Sequence, residues 1–153
     1  MDNDPVRRQV LEYLAAHHVL TLATQGPLGL WAAAVFYVNE GFDLFFLSAG
    51  STRHSQNIGA NNHVAATIQA DYKDWPAIQG VQLEGDVVEL QGVTRISAIK
   101  RYTGKYPFLA QPLPPVKAAL EKINWYRLRP SLFYFIDNSK GFGYRTQIQL
   151  PGD

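Results

Sequence analysis

Apolar runs that end soon after they begin, each closed by glycine, proline or asparagine, commit this chain to short strands joined by tight turns. Val19 to Thr24 alternates with β-branched residues, and Gln25-Gly26-Pro27-Leu28-Gly29 supplies the turn into a second run, Leu30 to Val38. That run is apolar on both faces, so both sides need cover, one of them from a ligand or a second subunit. Asn39-Glu40-Gly41 turns the chain into Asp43 to Leu47, and His63 to Ala70 reads as a further strand. Ala77 to Leu90 reads as a long strand with Val81, Leu83 and Val87 on its buried face, Glu84 and Asp86 outward, and a bend at Gly85. Asn124 to Asp137 and Tyr144 to Leu150 complete the sheet.

Helices are inserted between these strands. Asp4-Pro5 has the form of an N-cap followed by proline at the first helical position, and Val6, Val10, Leu11 and Leu14 recur at helical spacing up to His17. Thr52 to Ile58 predicts a short helix that Gly59 ends, and Thr94 to Lys105 one that turns Ile96, Ile99 and Tyr102 inward. After the prolines at 107, 112, 114 and 115, Val116 to Lys122 is helical. The expected class is α+β, mostly β: an antiparallel barrel with short helices rather than an alternating parallel fold. At 153 residues, the length suits one domain spanning 1–153.

Fourteen basic against thirteen acidic residues give a formal charge of +1, too balanced for net charge to attract nucleic acid or anionic lipid. No cysteine is present for disulfides, thiolate metal sites or thiol nucleophiles. The start Met1-Asp2-Asn3-Asp4 lacks a basic segment leading into an apolar core, and no apolar run approaches the roughly 20 residues of a membrane-spanning helix. A soluble, cytoplasmic protein is expected.

Chemistry concentrates where Leu44-Phe45-Phe46-Leu47-Ser48 runs into Ala49-Gly50 and then into Ser51-Thr52-Arg53-His54. A strand feeding a small-residue loop and a helix start brings free backbone N–H groups beside two hydroxyls and an arginine, the parts of a phosphate site. A cap on a short helix, with Arg53 solvated, is the competing reading. Ala32-Ala33-Ala34 would let a flat ring approach the second strand, or would simply face a crowded barrel interior. Trp75-Pro76, Trp125-Tyr126 and Arg127-Leu128-Arg129 have the make-up of interface anchors, and Gly141-Phe142-Gly143 of a hairpin loop. His17, His18, His54 and His63 are too scattered to define a metal site. No serine-hydrolase, P-loop or dinucleotide-fold motif occurs, and no residue stands out as catalytic acid or base.

Thr52-Arg53-His54 after the third strand, Gly80-Val81-Gln82-Leu83-Glu84-Gly85 and Gly141-Phe142-Gly143 carry a resemblance, over about Val10 to Leu150, to the pyridoxamine 5′-phosphate oxidase-like FMN-binding split barrels and above all to their small bacterial YhbP-like group. The resemblance implies a split barrel holding FMN. Its phosphate would sit on Ser51, Thr52, Arg53 and His54, and its ring against the backbone of Trp31, Ala32, Ala33 and Ala34 and against Leu47-Ser48. It also implies a homodimer whose cofactor sites lie at the subunit interface, and an oxidoreductase acting on a small molecule that the sequence does not identify.

Three departures narrow this. The oxidases' arginine and lysine in the second strand have no counterpart in Leu30 to Val38, the lysine of the phosphate triplet is His54, and their C-terminal arginine and histidine lack a clear match after Tyr144. Oxidation of pyridoxamine phosphate is not expected, and His54 would make phosphate affinity weaker and pH-sensitive. The rival expectation is a non-enzymatic split barrel that binds haem, a deazaflavin or a partner protein.

Overall fold

In the computed structural model, residues 4–152 are described; the Met1 to Asn3 start considered for a leader, and Asp153, lie outside them. Helix α1 (Pro5–Ala16) begins where expected: the Asp4 carboxylate accepts the Val6 N–H at 2.9 Å, and Val10, Tyr13 and Leu14 form its buried stripe. Strands β1 (Val19–Gly26) and β2 (Gly29–Phe36) pair along their whole length, from Val19 opposite Phe36 to Gly26 opposite Gly29. There follow β3 (Val38–Glu40), β4 (Asp43–Ala49), α2 (Arg53–Ala60), β5 (His63–Gln69), β6 (Gln79–Glu89), α3 (Gly92–Lys105), α4 (Pro114–Glu121), β7 (Ile123–Asp137) and β8 (Arg145–Gln147).

Every pairing is antiparallel, in the order β2-β1-β5-β6-β7-β4-β3, with β8 added to β7. The fold is the expected α+β split barrel. One face of the curled sheet, lined by Leu20, Leu22, Leu44, Phe46, Ile68, Val81, Leu128 and Phe133, closes on Val10 and Leu14 of α1 to make the core. A second cluster lies on the opposite face of β4 and β7, where Phe45 and Trp125 pack under Ala98 and Tyr102 of α3. As a result β4 is apolar on both faces for a structural reason: one side faces the barrel and the other a helix.

β2 does not receive the two-sided cover expected of Leu30 to Val38. The run breaks at Tyr37, which is fully buried: its N–H binds the His18 carbonyl at 3.0 Å, its hydroxyl donates to Leu14 O at 2.7 Å, and its own carbonyl accepts from Tyr106 Oη at 2.6 Å. Upstream of that pin, Leu30 is 76% and Phe36 53% exposed. β2 ends the sheet, so β1 covers one of its edges and, among the described residues, no strand pairs with the other.

Three further differences are local. Ile96 is 66% exposed rather than inward, because α3 starts at Gly92 and its phase turns Ala98 and Tyr102, an i, i+4 pair, onto the sheet. Helix α2 runs past Gly59, and Asn61 ends it, its N–H binding Asn57 O at 2.8 Å. Tyr144 to Leu150 is regular only over β8, though Ile148 and Leu150 beyond it enter the core. The bend expected at Gly85 is present as a register shift between Glu84 and Gly85 opposite Pro130. Among the described residues no helix is long and apolar enough to cross a membrane.

Candidate functional site

Ser48, last inward-facing residue of β4, and the first turn of α2 meet around one imidazole. His54 is buried, its Nε2 2.5 Å from Ser48 Oγ and 3.3 Å from Thr52 Oγ1. Burial holds its pKa below the ordinary 6.5, so the ring is neutral at neutral pH and acts as a hydrogen-bonding strut between two hydroxyls. Thr52 is also the N-cap of α2: its Oγ1 accepts the Ser55 N–H at 3.3 Å and donates to Ala49 O at 2.9 Å. The capping role anticipated for this residue is thus real, and it coexists with a helix start whose leading N–H groups, those of Arg53 and His54, fall outside the helical ladder.

Arg53 is half-buried and engaged rather than free in solvent. One terminal nitrogen, Nη2, donates to the carbonyl oxygens of Leu28 and Leu30, the latter at 3.3 Å, and Cζ lies 4.4 Å from the centroid of the Trp31 ring. Its Nε is buried with no hydrogen-bond partner. A buried, unsatisfied donor on a permanent cation is costly unless an acceptor arrives, and an anion seated at the start of α2 is such an acceptor.

The residues singled out from the sequence therefore fall into two groups. Ser48, Thr52, Arg53 and His54 are joined by hydrogen bonds or chain adjacency at the β4–α2 corner, with Ser51 exposed beside them, and Arg53 carries the connection to Trp31 on β2. Ala32 and Ala34 are exposed on the outer face of β2, while Ala33 shares its other face with Trp31. The Leu47 side chain turns away to the cluster beneath α3, so only its backbone is oriented toward this corner. A hollow of about 440 Å³ runs over the β2 edge, lined by Ala23, Thr24, Leu30, Trp31 and Ala32. A hollow of similar size, about 460 Å³, lies elsewhere, by Phe42 and Leu150, and Arg129 on its wall is already paired with Asp43 at 2.8 Å.

No family model matches this chain. Individual proteins do. The UPF0306 protein of Enterobacter sp. (strain 638) is 35% identical over 133 residues, covering 86% of this chain and 87% of its own. The UPF0306 protein YhbP of Escherichia coli O157:H7 is 32% identical over 148 residues, covering 94% and 92%. The chain belongs to the UPF0306, YhbP-like family.

Solved structures share the UPF0306 chain's fold at lower identity. HutZ, the haem storage protein of Vibrio cholerae, superposes with a TM-score of 0.69 at 17% identity, covering 81% of this chain and 89% of its own. A putative pyridoxamine 5′-phosphate oxidase from Listeria innocua gives 0.64 at 16%, covering 84% and 95%. An FAD-binding protein from Mesorhizobium loti gives 0.64 at 15%, covering 84% and 91%. These likenesses are of fold: the UPF0306 chain has a pyridoxamine 5′-phosphate oxidase-like split barrel, an architecture found in flavin-binding and haem-related proteins alike.

Sequence reasoning missed two residues of the UPF0306 corner. Asn57 is wholly buried and donates from Nδ2 to Thr24 Oγ1 at 3.2 Å and to Gly29 O at 3.1 Å. Asn124, on β7 opposite Ser48, lies under the Gly50 loop and donates to Tyr126 Oη at 3.2 Å. The only signal for Asn57 was an asparagine inside a predicted helix, where its competition with the backbone makes it a poor choice without a partner.

Proposed function

We propose that this UPF0306 protein is a homodimeric flavoprotein of the cytoplasm that binds FMN by its phosphate at the β4–α2 corner and serves as an oxidoreductase for a small molecule. The observation that carries the reading is the buried, unpartnered Nε of Arg53 at the start of α2. Nη2 is taken by two hairpin carbonyls, which leaves Nε, on the same edge of the guanidinium, as the donor without an acceptor. The first N–H groups of α2 and the exposed Ser51 hydroxyl add neutral donors, while the Thr52 hydroxyl, which donates to Ala49 O, caps the helix beside them. His54, neutral, would hold Ser48 and Thr52 in place behind the phosphate rather than contribute charge.

The flavin ring would lie along β2. Its free edge offers backbone N–H and C=O groups over Trp31 to Ala34, next to small side chains. Bound flavin supplies electron transfer, while the protein supplies position and electrostatics. The outer face of β1 and β2 supports a second copy of the chain as partner. Val19, Leu30 and Phe36 are exposed there beside Ala23, Ala32 and Ala34, an apolar strip of the kind that marks an interface. A cysteine-free composition fits a reducing compartment.

Haem is the second reading, since a haem storage protein shares the fold. It has less support from the side chains. His54 is spent on Ser48 and both nitrogens of His63 face carboxylates at 2.9 Å, while His17, its Nδ1 2.7 Å from Tyr13 O, and exposed His18 do not line the hollow over β1 and β2. Titration of the purified protein with FMN, riboflavin and haem, followed by visible absorbance and flavin fluorescence, separates the readings. Saturable FMN binding that is tighter than riboflavin binding is expected. Tight haem binding without FMN binding would replace the flavin reading.

A further inference from the structure

We infer that Asn57 is a positioning residue for the anion site: it holds the β1–β2 hairpin at the register in which Arg53 grips the hairpin carbonyls, and thereby sets the preference for a phosphorylated over a phosphate-free flavin. The second half of this inference rests on the flavoprotein reading; the first does not.

The carbonyls of three consecutive residues, Leu28, Gly29 and Leu30, are all taken by two side chains of α2. Arg53 takes the outer two and Asn57 the middle one. The two side chains are four residues apart, so they rise from one face of the helix. Carbonyls of an ordinary strand alternate in direction, and three in succession can reach one helix only because Gly29 adopts φ +91°, a conformation other residues rarely take.

Asn57 also ties in the other strand. Its Nδ2 reaches Thr24 Oγ1 on β1 as well as Gly29 O at the start of β2, and Asn57 and Thr24 are both buried. The hairpin tip has little apolar anchoring, since Leu28 and Leu30 on either side of Gly29 are exposed. Beyond its ladder with β1 and the close approach of Gly26 to Asn57, hydrogen bonds from α2 hold the tip against the helix. A hairpin released from Asn57 leaves Arg53 Nη2 without a fixed pair of acceptors. The guanidinium then loses the orientation that holds Nε for an anion, and pre-organisation is lost even though the charge remains.

The test uses the full chain with Asn57→Ala and Arg53→Ala, singly and together, and Asn57→Ser should the alanine variant fail to fold. Without ligand, the Nε–H resonance of Arg53 in arginine-labelled protein reports the order of the guanidinium. A resolved, slowly exchanging signal is expected in the parent, and a signal averaged with solvent in the Asn57 variant. With ligand, the ratio of FMN to riboflavin affinity should fall about tenfold or more in either single variant, as expected for loss of a charged hydrogen bond, and no further in the double variant. A merely structural Asn57 would lower the melting temperature while leaving both the Arg53 signal and the affinity ratio at parent values, and that result overturns the inference. Should the parent bind neither flavin, the flavoprotein reading falls, and the Arg53 signal alone still decides whether Asn57 positions it.

Discussion

The guanidinium of Arg53 stacks over the indole of Trp31, Cζ 4.4 Å from the ring centroid, so the first residue of α2 is fastened to the second strand of the sheet. Cation–π contacts of this kind contribute about 0.5–2 kcal/mol, rising as water is excluded. The stack matters here less for stability than for direction. It holds one face of a planar, permanent cation against β2 while its Nη2 edge is occupied by hairpin carbonyls.

Replacing Arg53 by alanine should therefore weaken FMN by about 1.5–3 kcal/mol, the range for a charged hydrogen bond, with riboflavin affected much less. Arg53→Lys should recover only part of the loss, because an ammonium has no planar face to lie on Trp31 and no second nitrogen to offer an anion while it holds the two carbonyls. Fluorescence titration of the two flavins measures both. Equal losses for FMN and riboflavin would remove Arg53 from the phosphate site.

Two histidines should shape the pH dependence of stability with opposite signs. Burial lowers the pKa of His54 below 6.5 in the folded chain, so the unfolded chain takes up the proton first on acidification. Its contribution is complete above about pH 6.5 and is lost as pH falls toward the lowered value. Hydrogen bonds to Asp86 and then Glu84 raise the pKa of exposed His63, whose contribution is present below about pH 6.5 and fades as pH rises through the raised value. Denaturant midpoints across this range should show a flatter acid limb in His54→Gln and a flatter alkaline limb in His63→Gln. Flavin retention should not vary through His54 between about pH 7 and 8, where the ring is already neutral. An acid limb unchanged in His54→Gln would show that some other group controls it.

Ala23 lies at the centre of the exposed face, opposite Ala32 on β2 and Ala65 on β5. Ala23→Arg should change the stability of a single chain by no more than about 0.5 kcal/mol, as surface substitutions do, yet convert the proposed dimer to a monomer in light scattering. A dimer that survives this change must be built on another surface.

At the bulge, a side chain at Gly85 would overlap the carbonyl oxygen of Arg129 and stand 2.7 Å from Pro130 Cα, both of them backbone atoms that cannot swing aside. Gly85→Ala should cost about 1–3 kcal/mol or more, read as a lower denaturant midpoint with an unchanged slope. A neutral result would mean that β6 and β7 separate at the bulge at little cost.

The alternating runs and turn residues of this chain determined by themselves most of the longer strands, the hairpin at 26–29, the Asp4-Pro5 helix start, the bend at Gly85 and the corner at Ser51 to His54, because each is a local property of a few neighbouring residues; strand β3, where Asn39-Glu40 reads as turn, was not among them. What a residue faces depends instead on elements distant in the chain. Only tertiary structure turned Ile96 outward, gave β4 the two-sided cover that Leu30 to Val38 had seemed to need, and set Asn57 across both strands of the hairpin. The same holds for Arg53. Its charge and its place at a helix start are written in the chain, but whether it dissolves in water or locks onto Leu28, Leu30 and Trp31 is decided by how closely the folded sheet brings β2 to α2.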